Sequence, residues 1–178
     1  RDKRTVFFQK KGIKVDFGGI TKGWAVDRVR DLLLSRGIRR GLINLGGNIY
    51  SIGEHRTGIR DPANKALTCT AVSLNNQGIA TSGNYEQFII IDNKRYTHII
   101  DPRSGMPVSG VDSVTVICSS AAWCDILSTA IFIEGDKLIK PGLKMEKLNI
   151  LQLHLQAEEA DRIKKFGSIW EEINFSSQ

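Results

Sequence analysis

Short apolar runs separated by pairs of turn residues constrain this chain more than any other feature of its sequence. Gly41–Leu45 and Ile49–Ile52 flank Gly46-Gly47-Asn48, Cys69–Leu74 and Gly78–Thr81 flank Asn75-Asn76, and Gln87–Ile91 and Arg95–Ile100 flank Asp92-Asn93. Runs of this kind, broken by Gly, Asn or Asp, read as strands joined by tight turns. Strands joined so closely run antiparallel, because a parallel pair needs a long crossover between its members. Ser113–Cys118 reads as a further strand. Leu151, Leu153 and Leu155 alternate with Gln152, His154 and Gln156, as a half-exposed strand would. Two segments carry the helical period instead. The first runs from about Lys22 to Arg36, with Trp24, Val29, Leu32 and Leu33 on one face and Gly37 as its stop. The second runs from about Ala121 to Ile133, after a Ser119-Ser120 N-cap and before Gly135. Many hairpins and few crossover helices predict an α+β fold, a mainly antiparallel sheet with packed helices. No repeat or low-complexity linker divides the chain, so residues 1–178 read as a single domain.

Composition narrows the class. With 178 residues, 41% hydrophobic and 25% charged, the chain is expected to be a soluble globular domain with a sizeable core. No apolar run approaches the roughly 20 residues of a membrane helix. The chain opens Arg1-Asp2-Lys3-Arg4 rather than with Met, so an upstream segment, and any targeting signal in it, is expected to be missing. The net charge of +6 favours anionic partners such as phosphates. The basic residues are scattered over helix faces, among them Arg28, Arg30, Arg36, Lys137 and Lys144, with no aromatic-basic platform beside them. Nucleic acid is therefore not an expected partner. Cys69, Cys118 and Cys124 lack metal-ligand spacing and lie in apolar runs, so buried, inert thiols are expected.

Four segments carry candidate chemistry. In Val15-Asp16-Phe17-Gly18-Gly19-Ile20-Thr21-Lys22-Gly23, a glycine-rich turn opens a helix. Such a turn lets the backbone approach a phosphate, the helix N-terminus favours negative charge, and Lys22 adds a cation. Glycines before a helix are more often a plain turn. In Asn44-Leu45-Gly46-Gly47-Asn48, paired glycines within a strand pattern mark a bulge or the close approach of a ligand. The third segment is Thr81-Ser82-Gly83-Asn84-Tyr85 with Tyr96-Thr97-His98-Ile99-Ile100-Asp101-Pro102-Arg103-Ser104-Gly105-Met106-Pro107. It places His98 at a strand end beside a turn, where an imidazole can accept a proton. His55 and His154 read as structural. The fourth segment sets Asp125, Ser128 and Thr129 on one helix, with Asp125 and Thr129 one turn apart on the same face. A carboxylate and a hydroxyl so placed suit a hard cation such as Mg²⁺, which takes few protein carboxylates and completes its shell with phosphate and water. The helix is apolar almost all round, so a carboxylate on it needs a partner.

In this order the four motifs resemble those of the FAD:protein FMN transferase family, also called the ApbE or flavin-trafficking family. The resemblance runs from about Val15 to Gly135. Carried over position by position, it implies that Asp16 and Lys22 contact the flavin nucleotide and that the Gly19 carbonyl, Asp125 and Thr129 hold Mg²⁺. His98 would sit at the phosphoryl-transfer centre. Ser128 matches a position that is acidic in some members. Family members carry a long segment ahead of the Asp16 motif that contributes to the FAD pocket, and this sequence lacks it.

The implied reaction moves FMN from FAD onto a Ser or Thr hydroxyl of an acceptor flavoprotein and releases AMP, with Mg²⁺ as cofactor and FAD as substrate. Two other readings stay open: a Mg²⁺-dependent FAD hydrolase that uses the same ligands with water as acceptor, and a non-catalytic flavin-binding module. The resemblance further implies a periplasmic location at the inner membrane, often as a lipoprotein tethered through an N-terminal segment.

Overall fold

The computed structural model describes residues 5–92, 94–139, 148–158 and 162–170. Its centre is a six-stranded antiparallel sheet, which bears out the predicted fold class. In chain order the strands are β1 (Gly41–Leu45), β2 (Asn48–Ile52), β3 (Glu54–Arg60), β4 (Thr68–Asn75), β5 (Gly78–Gly83), β6 (Phe88–Ile91), β7 (Lys94–Thr97), β8 (Ser113–Cys118), β9 (Asn149–Leu153) and β10 (Ile163–Phe166). The large sheet runs β1-β2-β5-β8-β9-β10, while β3–β4 and β6–β7 form separate hairpins. Helix α1 spans Thr21–Ser35 and α2 spans Ala121–Glu134.

The local signals explain most of these boundaries. Gly46 and Gly47 both take positive φ, 58° and 92°, in the two-residue turn that pairs Leu45 with Asn48. That conformation matches strand twist and favours glycine at both positions, so the pair is a hairpin turn and not a bulge. Ser120 caps α2 by accepting from Trp123 N, and Gly135 closes it with φ 63°. Gly37 ends α1 with φ 82°.

The sheet is covered on both faces. On one side Ile131 and Phe132 of α2 pack with Ala80, Val114, Val116 and Ile150. On the other, Ile59 of β3 and Val72 and Leu74 of β4 pack on Ile79, Ile117, Leu151 and Leu153. Each such Val, Leu, Ile or Phe side chain contributes roughly 1.5–3 kcal/mol when fully buried. β8 is consequently buried at all six positions.

Three expectations need correction. β9 ends at Leu153, and Gln152 is buried rather than exposed, because β9 lies between β8 and β10 in a sheet covered on both sides. The face of α1 that meets its neighbours is built on Gly23 and Val26, whereas Trp24, Val29 and Leu32 are exposed. Cys118 and Cys124 are not free thiols. They pair as a disulfide, Cα–Cα 5.9 Å, where the end of β8 and the first turn of α2 meet. Cys69 alone is a buried free thiol, and burial, reinforced by the Asp61 charge, pushes its pKa up to about 11.

Candidate active site

A cleft of about 1370 Å³ opens along one edge of these layers. The turn before α1, the β1–β2 turn, β3, β5, the base of the β6–β7 hairpin and one side of α2 all contribute to its wall. All six predicted site residues line it: Asp16, Gly19, Lys22, His98, Asp125 and Thr129.

Asp125 is 5% exposed, and its partner is a backbone amide: Gly23 N donates to Oδ2 at 2.9 Å. The contact is buried and joins residues 102 apart in sequence. It depends on the missing side chain of Gly23, since a Cβ there would fall on the Ala121 carbonyl oxygen and 2.7 Å from Asp125 Cβ. The other carboxylate oxygen, Oδ1, has no hydrogen-bond donor among the described residues. Thr129 lies one turn on, and its hydroxyl meets Ser82 Oγ at 3.0 Å and the Asp125 carbonyl at 3.3 Å. Gly19 stands across from it: a Cβ built there would sit 3.7 Å from Thr129 Oγ1. Ser128 is buried, hydrogen-bonds with Ser82 Oγ at 2.9 Å, and does not line the cleft.

This donor set fits a hard cation. One carboxylate oxygen, a hydroxyl and a backbone carbonyl are oxygen ligands that leave several octahedral positions for phosphate and water, as Mg²⁺ prefers. Among the described residues no three His, Cys, Asp or Glu side chains cluster as a protein-only metal cage would need. The glycine turn before α1 lines the same cleft. Asp16 Oδ1 accepts from Gly18 N at 2.6 Å and shapes the glycine turn. Phe17 O then accepts from Ile20 N and Thr21 N, which starts α1. Lys22 is exposed on the first turn of α1, without a carboxylate partner among the described residues.

His98 follows the last residue of β7 and is exposed in the cleft. Its Nδ1 lies 3.0 Å from the Gln87 carbonyl oxygen. A carbonyl only accepts, so Nδ1 carries the proton and Nε2 is the free basic nitrogen. The loop beyond is held by a network around Arg103, which donates to both Asp101 oxygens, at 2.9 and 2.8 Å, and to Glu134 Oε2 of α2 at 2.9 Å. Those hydrogen bonds hold the Asp101 carboxyl below the usual aspartate range. His55 and His154 each bond a neighbour, Ser51 Oγ and the Gly110 carbonyl.

Some of the wall was not foreseen. Thr57, Gly58 and Arg60 of β3 line the cleft, although Glu54–Arg60 has no apolar run to mark a strand. Ser82 and Tyr85, from the third motif, line it too: Ser82 bonds both Ser128 and Thr129, and the Tyr85 phenol is pushed up to about 12 by burial and by the Glu86 charge. The Gly23 amide has no side-chain signal at all.

Asp125, Thr129, Gly19 and Lys22 thus line one cleft beside a glycine turn, a grouping of oxygen donors and a cation that could hold a metal ion and a phosphate. The ApbE family model matches residues 1–150, and the chain belongs to the ApbE family. It is 42% identical over 130 residues to an FAD:protein FMN transferase of Klebsiella pneumoniae, covering 72% of this chain and 41% of that protein. It is 35% identical over 147 residues to one of Treponema pallidum, covering 74% and 41%. Among solved structures, the ApbE protein of Thermotoga maritima superposes with a TM-score of 0.78 at 34% identity, over 87% of this chain and 52% of that one. The flavin transferase ApbE of Vibrio cholerae gives 0.65 at 32%, over 86% and 50%. The chain thus spans about two fifths of the length of these curated relatives and about half that of the solved structures.

Proposed function

We propose that this chain carries the metal and phosphoryl-transfer side of a site that moves FMN from FAD to a hydroxyl of an acceptor protein, releasing AMP. The observation that carries the reading is convergence: residues from Asp16 to Thr129, on several separate elements and loops, all line one cleft. The relatives named FAD:protein FMN transferase support the choice of substrate.

Lys22 and the amides of the turn before α1 bind the pyrophosphate of FAD, where the helix N-terminus adds to the attraction. Asp125, Thr129 and the Gly19 carbonyl would hold Mg²⁺, with the Gly23 amide fixing the carboxylate. When bound, the ion offsets charge on the pyrophosphate and on the departing AMP. The acceptor oxygen forms a bond to the FMN phosphorus, and the bond from that phosphorus to the bridging oxygen breaks. AMP leaves with that oxygen. His98 Nε2 takes the hydroxyl proton, because Nδ1–H is committed to Gln87. Such transfers depend on positioning and charge more than on covalent help from the protein.

The periplasmic side of the inner membrane belongs to the same proposal. The Cys118–Cys124 disulfide supports it, since disulfides persist in oxidising compartments. Among the described residues no helix is long and apolar enough to cross a membrane.

The test is incubation with FAD, Mg²⁺ and a candidate acceptor flavoprotein subunit, followed by AMP assay and mass spectrometry of the acceptor. AMP with an FMN-sized mass gain supports transfer. AMP with free FMN and an unmodified acceptor makes the protein an FAD hydrolase, and FAD binding with no AMP makes it a flavin-binding module. Asp125→Asn should lose most metal-dependent AMP release and Thr129→Val less, with Mg²⁺ calorimetry as the check. Unaltered Mg²⁺ binding in Asp125→Asn would remove the carboxylate from the site.

A further inference from the structure

Asp27 of α1 takes no part in the cleft, yet its carboxylate is engaged at every turn. Oδ1 accepts from Ala121 N at 3.0 Å and from Arg30 Nη1 at 2.7 Å. Oδ2 accepts from Ser120 Oγ at 2.6 Å and from Ala122 N at 3.0 Å. Arg30 is itself fixed by Asp31, 2.8 Å, and lies 4.7 Å over the ring of Tyr50.

These bonds complete an account of the N-terminus of α2. A helix begins with four amides that have no partner within it. Here Ala121 and Ala122 donate to Asp27 and Trp123 to Ser120 Oγ, and Cys124 makes the first bond of the helical ladder, to the Ser120 carbonyl. Ser120 would be a sufficient cap for an ordinary helix. The second carboxylate, supplied from another helix, ties α2 to α1.

The tie has a partner one turn away. Asp27 and Gly23 are four residues apart on α1, and Ala121 and Asp125 are four apart on α2, so each pair shares a face. Asp27 meets Ala121, and Gly23 meets Asp125. The two contacts stand about one helical turn apart, roughly 5.4 Å. One contact would let α2 pivot, whereas two fix its rotation and its slide against α1.

We propose that Asp27 is a positioning residue for Asp125. It locks the first turn of α2 to α1, so that Asp125 Oδ2 stays on the Gly23 amide and Oδ1 is presented to the cleft. Its effect on metal binding rests on the reading of Asp125 as a ligand, but its effect on the Gly23 contact does not.

The experiment compares wild type, Asp27→Asn and Asp31→Ala by amide hydrogen exchange without metal, then by Mg²⁺ calorimetry and FAD kinetics. In Asp27→Asn the Gly23 amide should exchange at least about tenfold faster, while β8 amides keep their protection. Mg²⁺ affinity should fall roughly 10–100-fold, as for other groups that orient metal ligands. kcat should drop with KM for FAD unchanged, because Asp27 touches neither substrate. Asp31→Ala, which bonds Arg30 but not α2, should resemble wild type. Faster exchange at Ala121 and Ala122 with unchanged Gly23 would overturn the proposal and leave Asp27 a local cap. A wild type that binds no Mg²⁺ would overturn the metal reading instead, and the Gly23 amide would still decide the positioning. If Asp27→Asn does not fold, Ser120→Ala, which removes one of the four donors, is read in the same way.

Discussion

Gly23 is where the absence of a side chain does most for the site. Its amide holds Asp125, and its bare Cα lets the Ala121 carbonyl lie against α1. In Gly23→Ala the new methyl would have to push α2 away, because backbone cannot yield as the tip of a flexible side chain does. Overpacking of this kind costs about 1–3 kcal/mol. A urea midpoint lowered at constant slope is the expected result, and an unchanged midpoint would show that the helices part freely. His98 bears on chemistry rather than on packing. It is exposed, and among the described residues its ring hydrogen-bonds to the Gln87 carbonyl alone, so His98→Ala should leave stability and FAD affinity near wild type. AMP release should fall roughly 10²–10⁴-fold, the usual loss for a general base. Wild-type turnover in the mutant would take His98 out of the mechanism.

At the scale of elements, α2 is pinned at both ends, by Asp27 at its start and by Arg103 to Glu134 at its finish. The second pin also shapes the loop after His98, and it has an acid limit. The folded pKa of Asp101 is depressed, so its contribution is present above the ordinary aspartate value, ~3.9, and is lost as pH falls through the lower folded value. An NMR titration should show Asp101 titrating below that value, and Arg103→Ala should return it there. Identical curves would mean that Arg103 is not the cause. The capped helix was legible in the sequence because Ser120 and Gly135 are local signals. β3 was not, because His55 and Thr57 alternate with Glu54 and Arg56, and Ile59 is the one aliphatic side chain in Glu54–Arg60. The packing face of α1 was misread for a related reason. Bulk suggested Trp24 and Leu32, but close approach selected Gly23 and Val26. Asp16, Gly19, Lys22, His98, Asp125 and Thr129 could be singled out because each lies in a compact motif. Asp27 could not, since its partners on α2 and at the α2 cap lie 93 to 95 residues away, and the local bond to Arg30 says nothing of them.

For the molecule as a whole, Cys69 offers a probe of cooperativity. It is 3% exposed, between the β3–β4 hairpin and the sheet, and burial raises its thiol pKa to about 11. Alkylation at pH 8 should therefore follow opening of the fold, with a denaturant dependence equal to that of unfolding. Labelling at the rate of an open thiol under native conditions would show that the hairpin detaches on its own. The contact between Gly23 and Asp125 has a consequence in time as well as in space. It closes a span of 102 residues, and Ser82 to Thr129 closes one of 47. Long-range closures of this kind are entropically costly and form slowly. A chain still being synthesised presents its glycine turn well before the carboxylate that completes the site. Ligand contacts made so late would be absent from the folding transition state. FAD with Mg²⁺ should therefore lengthen the unfolding lifetime in stopped-flow experiments and leave the refolding rate unchanged. Faster refolding with ligand would mean that the two helices meet early, and that nucleotide can be captured before the sheet is complete.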